Sequence, residues 1–379
     1  MRMQDLVDLA TSESPPPRYS VDDIVESGRR AQRRRRFGWL TSGATAVAAG
    51  VATAIMAPSL LGGASPPVTG DPFGEATAAG AAQAAAVPGP PFTFTFAGYR
   101  VGELRVADPV IVSTAYQLTR VYADGMTTND KSEKEDSGLN PGRDEPSLHA
   151  YLTVYRPGAY DPTTLVDAQS VTVAGRPGLE LDRRWLNWAA HRTLAWEYAE
   201  DAWAVIDSMS DNASLPSAED LRDLAAGWRP APPTPARVPI TLDYLPAGYS
   251  LDEAAMHTMT GLNGIASARN GDYAGLLFSS PAQPTAGLTG PYGTGLDEGP
   301  PGSFFIYVGP AENSNQQPSP GITCLVGFCN RVYADDSVKV QVASSGRLSN
   351  AEMTKILDGI SVGDVHDDST WIEVGAAIP

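Results

Sequence analysis

Beyond residue 92 the chain is a succession of short apolar runs broken by Gly, Pro, Asn and Asp, and most of them carry the composition of β-strands. Val110–Tyr122 is rich in β-branched and aromatic residues and predicts a strand, as do Leu148–Tyr155, Ser170–Val173, Thr193–Tyr198 and Ala202–Ser208. Glu200-Asp201 predicts the hairpin turn between the last two. The period then changes. Leu221, Leu224, Ala225 and Trp228 recur at helical spacing behind Ser217, which predicts a capped helix. The same succession follows a second time. Tyr273–Ser279, Ser303–Val308, Asn330–Ala334 and Ser337–Ala343 predict strands, and Asp335-Asp336 predicts a turn. Ser349 then caps a helix carrying Met353, Ile356, Leu357 and Ile360. The pattern predicts an α+β fold class: two similar domains, each an antiparallel sheet with one C-terminal helix.

Short strings repeat in the same order. Ala97-Gly98-Tyr99 with Glu103 matches Ala247-Gly248-Tyr249 with Glu253. Leu152-Thr153-Val154-Tyr155 resembles Phe305-Ile306-Tyr307-Val308, and Tyr198–Val205 resembles Tyr333–Val340. Leu215 with Ala218-Glu219 matches Leu348 with Ala351-Glu352. Duplication is the expectation. The copies fall in residues 92–228 and 240–365, followed by a tail, 366–379. Between them, residues 229–239 (RPAPPTPARVP) hold five prolines and predict a polyproline spacer of roughly 3.1 Å per residue.

The N-terminal quarter has a different pattern. Residues 37–61 contain no charge, and about 20 helical residues suffice to cross a bilayer core about 30 Å thick. Arg33, Arg34, Arg35 and Arg36 precede this run and Trp39 lies just inside it, so the sequence predicts a single-pass helix with residues 1–36 in the cytoplasm and the rest outside. A twin-arginine export signal, Arg34-Arg35-Arg36-Phe37 with small residues at Gly62-Gly63-Ala64, is the alternative. Residues 62–91, rich in Ala, Gly and Pro, predict a flexible stalk spanning on the order of 30 Å.

Charge sharpens this picture. The 379 residues carry a net charge of −17. The first 36 hold eight Arg against six acidic residues, while everything after residue 62 holds 19 basic and 38 acidic residues. Such a body excludes nucleic acid as a partner, because phosphate binding needs clustered Lys and Arg. It also disfavours an anionic lipid surface. The expected partners are the membrane, through one helix, and a cell-envelope polymer or another membrane protein.

Leu245-Pro246-Ala247-Gly248-Tyr249, followed by strands, an aromatic hairpin and a Ser-capped helix, resembles a Gram-positive extracytoplasmic domain of unknown function. That domain often follows a transmembrane helix in anti-sigma-factor and sporulation-type proteins. The first copy departs from it, with Thr95-Phe96 where Leu-Pro would stand, and the zinc-binding cytoplasmic domain of anti-sigma factors is missing. The resemblance implies a tethered envelope domain and supplies no catalytic residues.

The residues themselves assign no catalytic, cofactor or metal site, and no cofactor is expected. His149, His191, His257 and His366 lie at no metal-ligand spacing. Residues 287–302 are glycine-rich without the Lys-Ser/Thr ending of a phosphate loop, and 130–138 lack the glycine and glutamate of a calcium loop. Cys324 and Cys329, the two cysteines, predict a structural disulfide outside the cytoplasm. Trp196, Tyr198, Trp203 and Trp228 are expected in the core. Arg183, Arg184, Trp185, Trp188 and Arg192 form the one basic–aromatic candidate for a ligand patch. The functional expectation is a non-enzymatic, membrane-tethered binding or sensory module. A carboxylate-dependent hydrolase and a structural envelope protein are the alternatives.

Overall fold

The computed structural model describes residues 90–127, 146–185, 189–210, 216–262, 273–292, 299–311, 321–333, 337–344 and 347–379. The first half contributes β1 (Thr93–Phe96), β2 (Tyr99–Val101), β3 (Leu104–Val106), β4 (Ile111–Ser113), β5 (Tyr116–Thr127) and β6 (Pro146–Tyr155). It continues with β7 (Gln169–Val173), β8 (Arg176–Trp185), β9 (Ala189–Ala199), β10 (Ala202–Ser210) and helix α1 (Ala218–Gly227). The second half contributes β11 (Pro230–Pro235), β12 (Arg237–Val238), β13 (Ile240–Leu242), β14 (Ser250–Met256), β15 (Ala274–Ser279) and β16 (Ser303–Pro310). After these come β17 (Ile322–Leu325), β18 (Phe328–Tyr333), β19 (Val338–Ala343), α2 (Asn350–Asp358), β20 (Ile360–Val362), β21 (Ile372–Glu373) and the short α3 (Val374–Ala377).

These strands correct the expected fold class. The chain is mostly β, and it does not form two α+β domains with a sheet apiece. One antiparallel sheet of 15 strands runs through both halves in the order β17-β18-β19-β16-β15-β14-β4-β5-β6-β10-β9-β8-β7, with β3 beside β5 and β2 beside β3. The join is β14 against β4, with Glu253 opposite Ser113, Ala254 opposite Val112 and Ala255 opposite Ile111. Reading outward from this seam, each side meets the same succession. β15, β16, β19 and β18 on one side stand where β5, β6, β10 and β9 stand on the other. The similar strings Tyr198–Val205 and Tyr333–Val340 begin in β9 and β18 and end in β10 and β19.

The reason lies in the two edges at the seam. β4 and β14 carry Val112, Ala254 and Ala255, apolar on both faces and fully buried. A strand buried on both faces belongs inside a sheet, not at its edge.

Side-chain alternation sorts the core into layers. On one face, Leu152 and Val154 of β6 and Leu194 and Trp196 of β9 pack under Leu221, Leu224 and Ala225 of α1. On the same face in the second half, Phe278, Phe304, Ile306, Val340 and Val342 pack under Met353, Ile356 and Leu357 of α2. Both helices start as predicted. Ser217 accepts from the Asp220 amide in a full capping box, and Ser349 accepts from the Glu352 amide. The opposite face is shared between the halves: Ile111, Tyr116, Leu118 and Tyr155 are continuous with Ala255, Leu277, Phe305 and Ala343.

The proline-rich stretch read as a spacer is built into the body. β11 pairs with β1, Thr93 opposite Pro235 and Phe96 opposite Pro230, in a two-stranded ribbon whose register shifts between Phe94 and Phe96. β12 and β13 then pair with β21 and β20. No helix among the described residues is long and apolar enough to cross a membrane. The predicted span 37–61, with Arg33, Arg34, Arg35 and Arg36, lies outside the described residues.

Candidate functional site

A group of buried polar side chains sits at the seam. Asp252 is the extra residue of a β-bulge. Leu251 faces Phe278 and Glu253 faces Leu277, so two residues advance where the partner advances one. The bulge leaves Asp252 and Glu253 both buried, 1% and 0% exposed. Each carboxylate holds one side-chain hydroxyl and one backbone N–H. Glu253 accepts from the Tyr116 hydroxyl at Oε2 and from the Gly261 amide at Oε1, the latter at 2.6 Å. Asp252 accepts from the Ser279 hydroxyl at Oδ2 and from the Gln283 amide at Oδ1, the latter at 3.0 Å.

The network reaches further through Tyr292. Its amide donates to the Tyr116 hydroxyl at 2.9 Å, and its own hydroxyl lies 3.3 Å from Thr114 Oγ1 and donates to the Pro284 carbonyl at 2.9 Å. Aromatic rings extend the contact into the first half: Tyr116 meets Tyr292 at 5.1 Å and Tyr155 at 5.9 Å, and Tyr155 meets Tyr160 at 4.8 Å. Leu288 closes this layer, exchanging backbone hydrogen bonds with Ala159 and Asp161 at 2.8 and 2.9 Å. The loop after β15 is thus pinned onto first-half residues from three directions.

Burial governs the charge state. It pushes the Glu253 carboxyl up to about 7, opposed by the hydrogen bonds from Tyr116 and Gly261 and reinforced by the neighbouring Asp252 charge. It also raises Asp252, against the bonds from Ser279 and Gln283. Tyr116 lies well above the usual phenol range, through burial first and Glu253 second. A protonated Glu253 pairs with the neutral Tyr116 phenol without placing a charge in the core. An ionised one would be a buried charge with two donors and no cation among the groups acting on it.

The basic–aromatic candidate lies on the β8–β9 hairpin. Arg183 is exposed and stands opposite His191, Arg184 opposite Ala190, and Trp185 opposite Ala189. Trp188 lies outside the described residues. Arg192 stands opposite Asp182, one register position from Arg183, and therefore on the other face. Its guanidinium is held by Asp182 at 2.6 and 2.9 Å and by the Pro216 carbonyl at 2.5 Å. Arg192 ties the segment before α1 to the sheet, so Arg183 and Arg192 do not share one surface. Trp196 and Trp228 are core residues, as their spacing implied, and Trp203 packs at the edge of the shared aromatic layer.

Cys324 and Cys329 form a disulfide, with Cα atoms 4.0 Å apart, opposite each other in the β17–β18 hairpin. Their sulfurs face α2, near Thr354 Oγ1 and the Asn350 carbonyl. Beyond the bridge the turn is Val326-Gly327, with Gly327 at φ +87°, a conformation glycine adopts without strain. Val326 is 100% exposed and Leu325 47%.

The seam escaped the sequence reading because Asp252-Glu253 looks like a solvated pair until β4 arrives from 140 positions away. The available signal was two adjacent acids inside a run that otherwise reads as a buried strand. Among the described residues no group of three or more His, Cys, Asp or Glu gathers to hold a metal ion.

No protein-family model matches the chain, and none of the curated proteins matches it. Among solved structures, MucB in complex with MucA(peri) is similar over 72% of this chain and 93% of that one, at 13% identity and a TM-score of 0.21. The likeness is too loose to carry a function across.

Proposed function

We propose that this protein is a non-enzymatic binding or sensory module of the cell envelope, tethered by residues 37–61 with the tail 1–36 inside and the stalk 62–91 outside. The observation that carries the reading is the seam. The two carboxylates with the environment most suited to acid–base chemistry are consumed in fixing loops, each by a hydroxyl and an amide, within a layer of tyrosines. Catalytic carboxylates must reach a substrate, and a hydrolytic pair faces an open cleft with its carboxyl groups about 5–9 Å apart. Glu253 instead bonds across the seam to Tyr116, while Asp252 fixes the Ser279–Gln283 segment beside it. The disulfide supports an oxidising location, and the strongly acidic body favours a protein or uncharged polymer over anionic lipid.

The test uses the full-length chain in detergent micelles with its Glu253→Gln variant. Both are assayed for hydrolysis of cell-wall fragments and peptides, and for saturable binding to immobilised envelope polymer and to envelope membrane proteins. The reading expects no turnover that depends on Glu253, and equal saturable binding by both proteins. Turnover lost in a folded Glu253→Gln variant would replace it with the hydrolase alternative. Absence of saturable binding would leave the structural-protein alternative.

A further inference from the structure

Three segments converge on the Glu253 carboxyl. Its Oε2 accepts from the Tyr116 hydroxyl at the start of β5, and its Oε1 accepts from the Gly261 amide beyond the end of β14. The Tyr116 hydroxyl in turn accepts the Tyr292 amide, from the loop after β15. Gly261 and Tyr292 both lie outside the strands of the sheet, so their segments can lift without any strand leaving its neighbours.

The carboxyl is fully enclosed. Across the ladder, β4 sets Ser113 opposite it and β15 sets Leu277 opposite it, and neither titrates. The titratable groups that face it are the Tyr116 and Tyr292 phenols and the Asp252 carboxyl next to it on β14. None of these is a cation. Asp252 is raised by burial too, but its bonds go to Ser279 and Gln283, within the second half.

Ionising Glu253 breaks neither of its bonds. It leaves a carboxylate with two donors and no counter-charge, shut away from water, and water reaches that charge only when the layer opens. Glu253 therefore couples the seating of two non-strand segments to one proton.

We propose that Glu253 is a proton-operated latch: neutral, it keeps the Gly261 and Tyr292 segments seated on the seam, and ionised, it lets them lift while the flanking strands stay folded. This rests on the sensory reading above and names its stimulus, the proton activity outside the membrane. The sign follows from the two states. The seated carboxyl is raised from 4.5 to about 7, and a solvated one keeps the ordinary value. The latch is closed in acid. The equilibrium constant for opening rises about tenfold per unit between pH 4.5 and 7 and levels off above, on the order of 300-fold in all.

The experiment is native-state amide hydrogen exchange on the full-length chain in detergent micelles, between pH 5 and 8, without urea and in low urea, with the intrinsic rate at each pH divided out. Protection of the Gly261 and Tyr292 amides should fall about tenfold per unit up to pH 7 and then level off. Low urea should leave it unchanged, because a local opening exposes little surface. Amides of β8 and β9 should stay better protected at every pH and exchange faster as urea is added. Glu253→Gln, neutral throughout, should lose most of the slope at Gly261 and Tyr292; an unchanged circular dichroism spectrum checks its fold. If that variant does not fold, the pH and urea dependence of the unmodified chain decides alone. Protection independent of pH would overturn the proposal. So would protection at Gly261 and Tyr292 that falls in step with β8 and β9 in both pH and urea, since the proton would then act only on global unfolding. The readout involves no ligand: a flat profile would strike the latch and leave the binding role, while absence of saturable binding would strike that role and leave the latch measurable.

Discussion

The Tyr116 hydroxyl and the Glu253 carboxyl, 137 residues apart in sequence, meet inside the sheet where its two halves join. Tyr116 begins β5 and Glu253 sits on the bulged strand β14, so this one bond crosses the seam. The same hydroxyl accepts the Tyr292 amide, which makes Tyr116 the hub of the polar layer.

Replacing Tyr116 by Phe keeps the ring contacts with Tyr155 and Tyr292 and removes only the hydroxyl. Glu253 Oε2 and the Tyr292 amide both lose their partner inside the core. Leaving a buried group unsatisfied costs about 1–3 kcal/mol, and urea denaturation of Tyr116→Phe should show a loss in that range. A loss below about 0.5 kcal/mol would mean that the hydroxyl is not the hub.

Stability should depend on pH with a definite sign. The folded value of Glu253 is raised to about 7 from the usual 4.5, so the folded state holds the proton more tightly. Its contribution is complete below pH 4.5 and is lost as pH rises through 7. At about 1.4 kcal/mol per unit, the loss reaches about 3 kcal/mol. Asp252 is raised as well and acts in the same direction. Denaturation midpoints should therefore fall between pH 5 and 8.5, and Glu253→Gln should flatten most of that slope.

The disulfide should stabilise the end of the sheet locally. A bridge closing so short a loop contributes about 2 kcal/mol in the chain-entropy model. In the Cys324→Ser, Cys329→Ser double variant, amide hydrogen exchange should quicken in β17 and β18 and remain slow in β5, β6 and β10. Uniform acceleration across the sheet would contradict this assignment.

Gly302 and Gly290 make a contrasting pair. Gly302 has φ +73°, and a Cβ there would meet the Ser280 carbonyl oxygen. Ser280 leads into Gln283, whose amide holds Asp252. At Gly290 a Cβ would meet nothing within 4 Å. Gly302→Ala should cost at least about 1 kcal/mol by thermal denaturation, and Gly290→Ala within about 0.5 kcal/mol of nothing.

What the sequence disclosed was local. Ser217 and Ser349 announced their helices, and the aromatic and β-branched runs in Leu148–Tyr155 and Ser303–Val308 announced β6 and β16, because caps and strand composition are written within a few residues. The error came at the boundary. Five prolines in 229–239 suggested a spacer, yet ladder bonds to β1 absorb the stretch as an edge strand. Nothing near Ile111–Ser113 or Glu253–Ala255 says that those short strands pair with each other, since the pairing is decided by apolar area on both of their faces. The Tyr116–Glu253 bond was hidden for the same reason, the burial of Glu253 depending on that distant strand. Arg192 was misplaced by one step of alternation, since a cluster in sequence separates onto two faces when it folds as a strand.

The central claim is that the seam makes one cooperative body from two similar halves. Scanning calorimetry of the full-length chain tests it most directly. The structure predicts a single unfolding transition for the body, with calorimetric and van't Hoff enthalpies equal, shifted to lower temperature as one peak in Tyr116→Phe. Two separable transitions in the unmodified protein, only one of them moved by Tyr116→Phe, would show that the halves fold independently and that Tyr116 and Glu253 do not clamp them together.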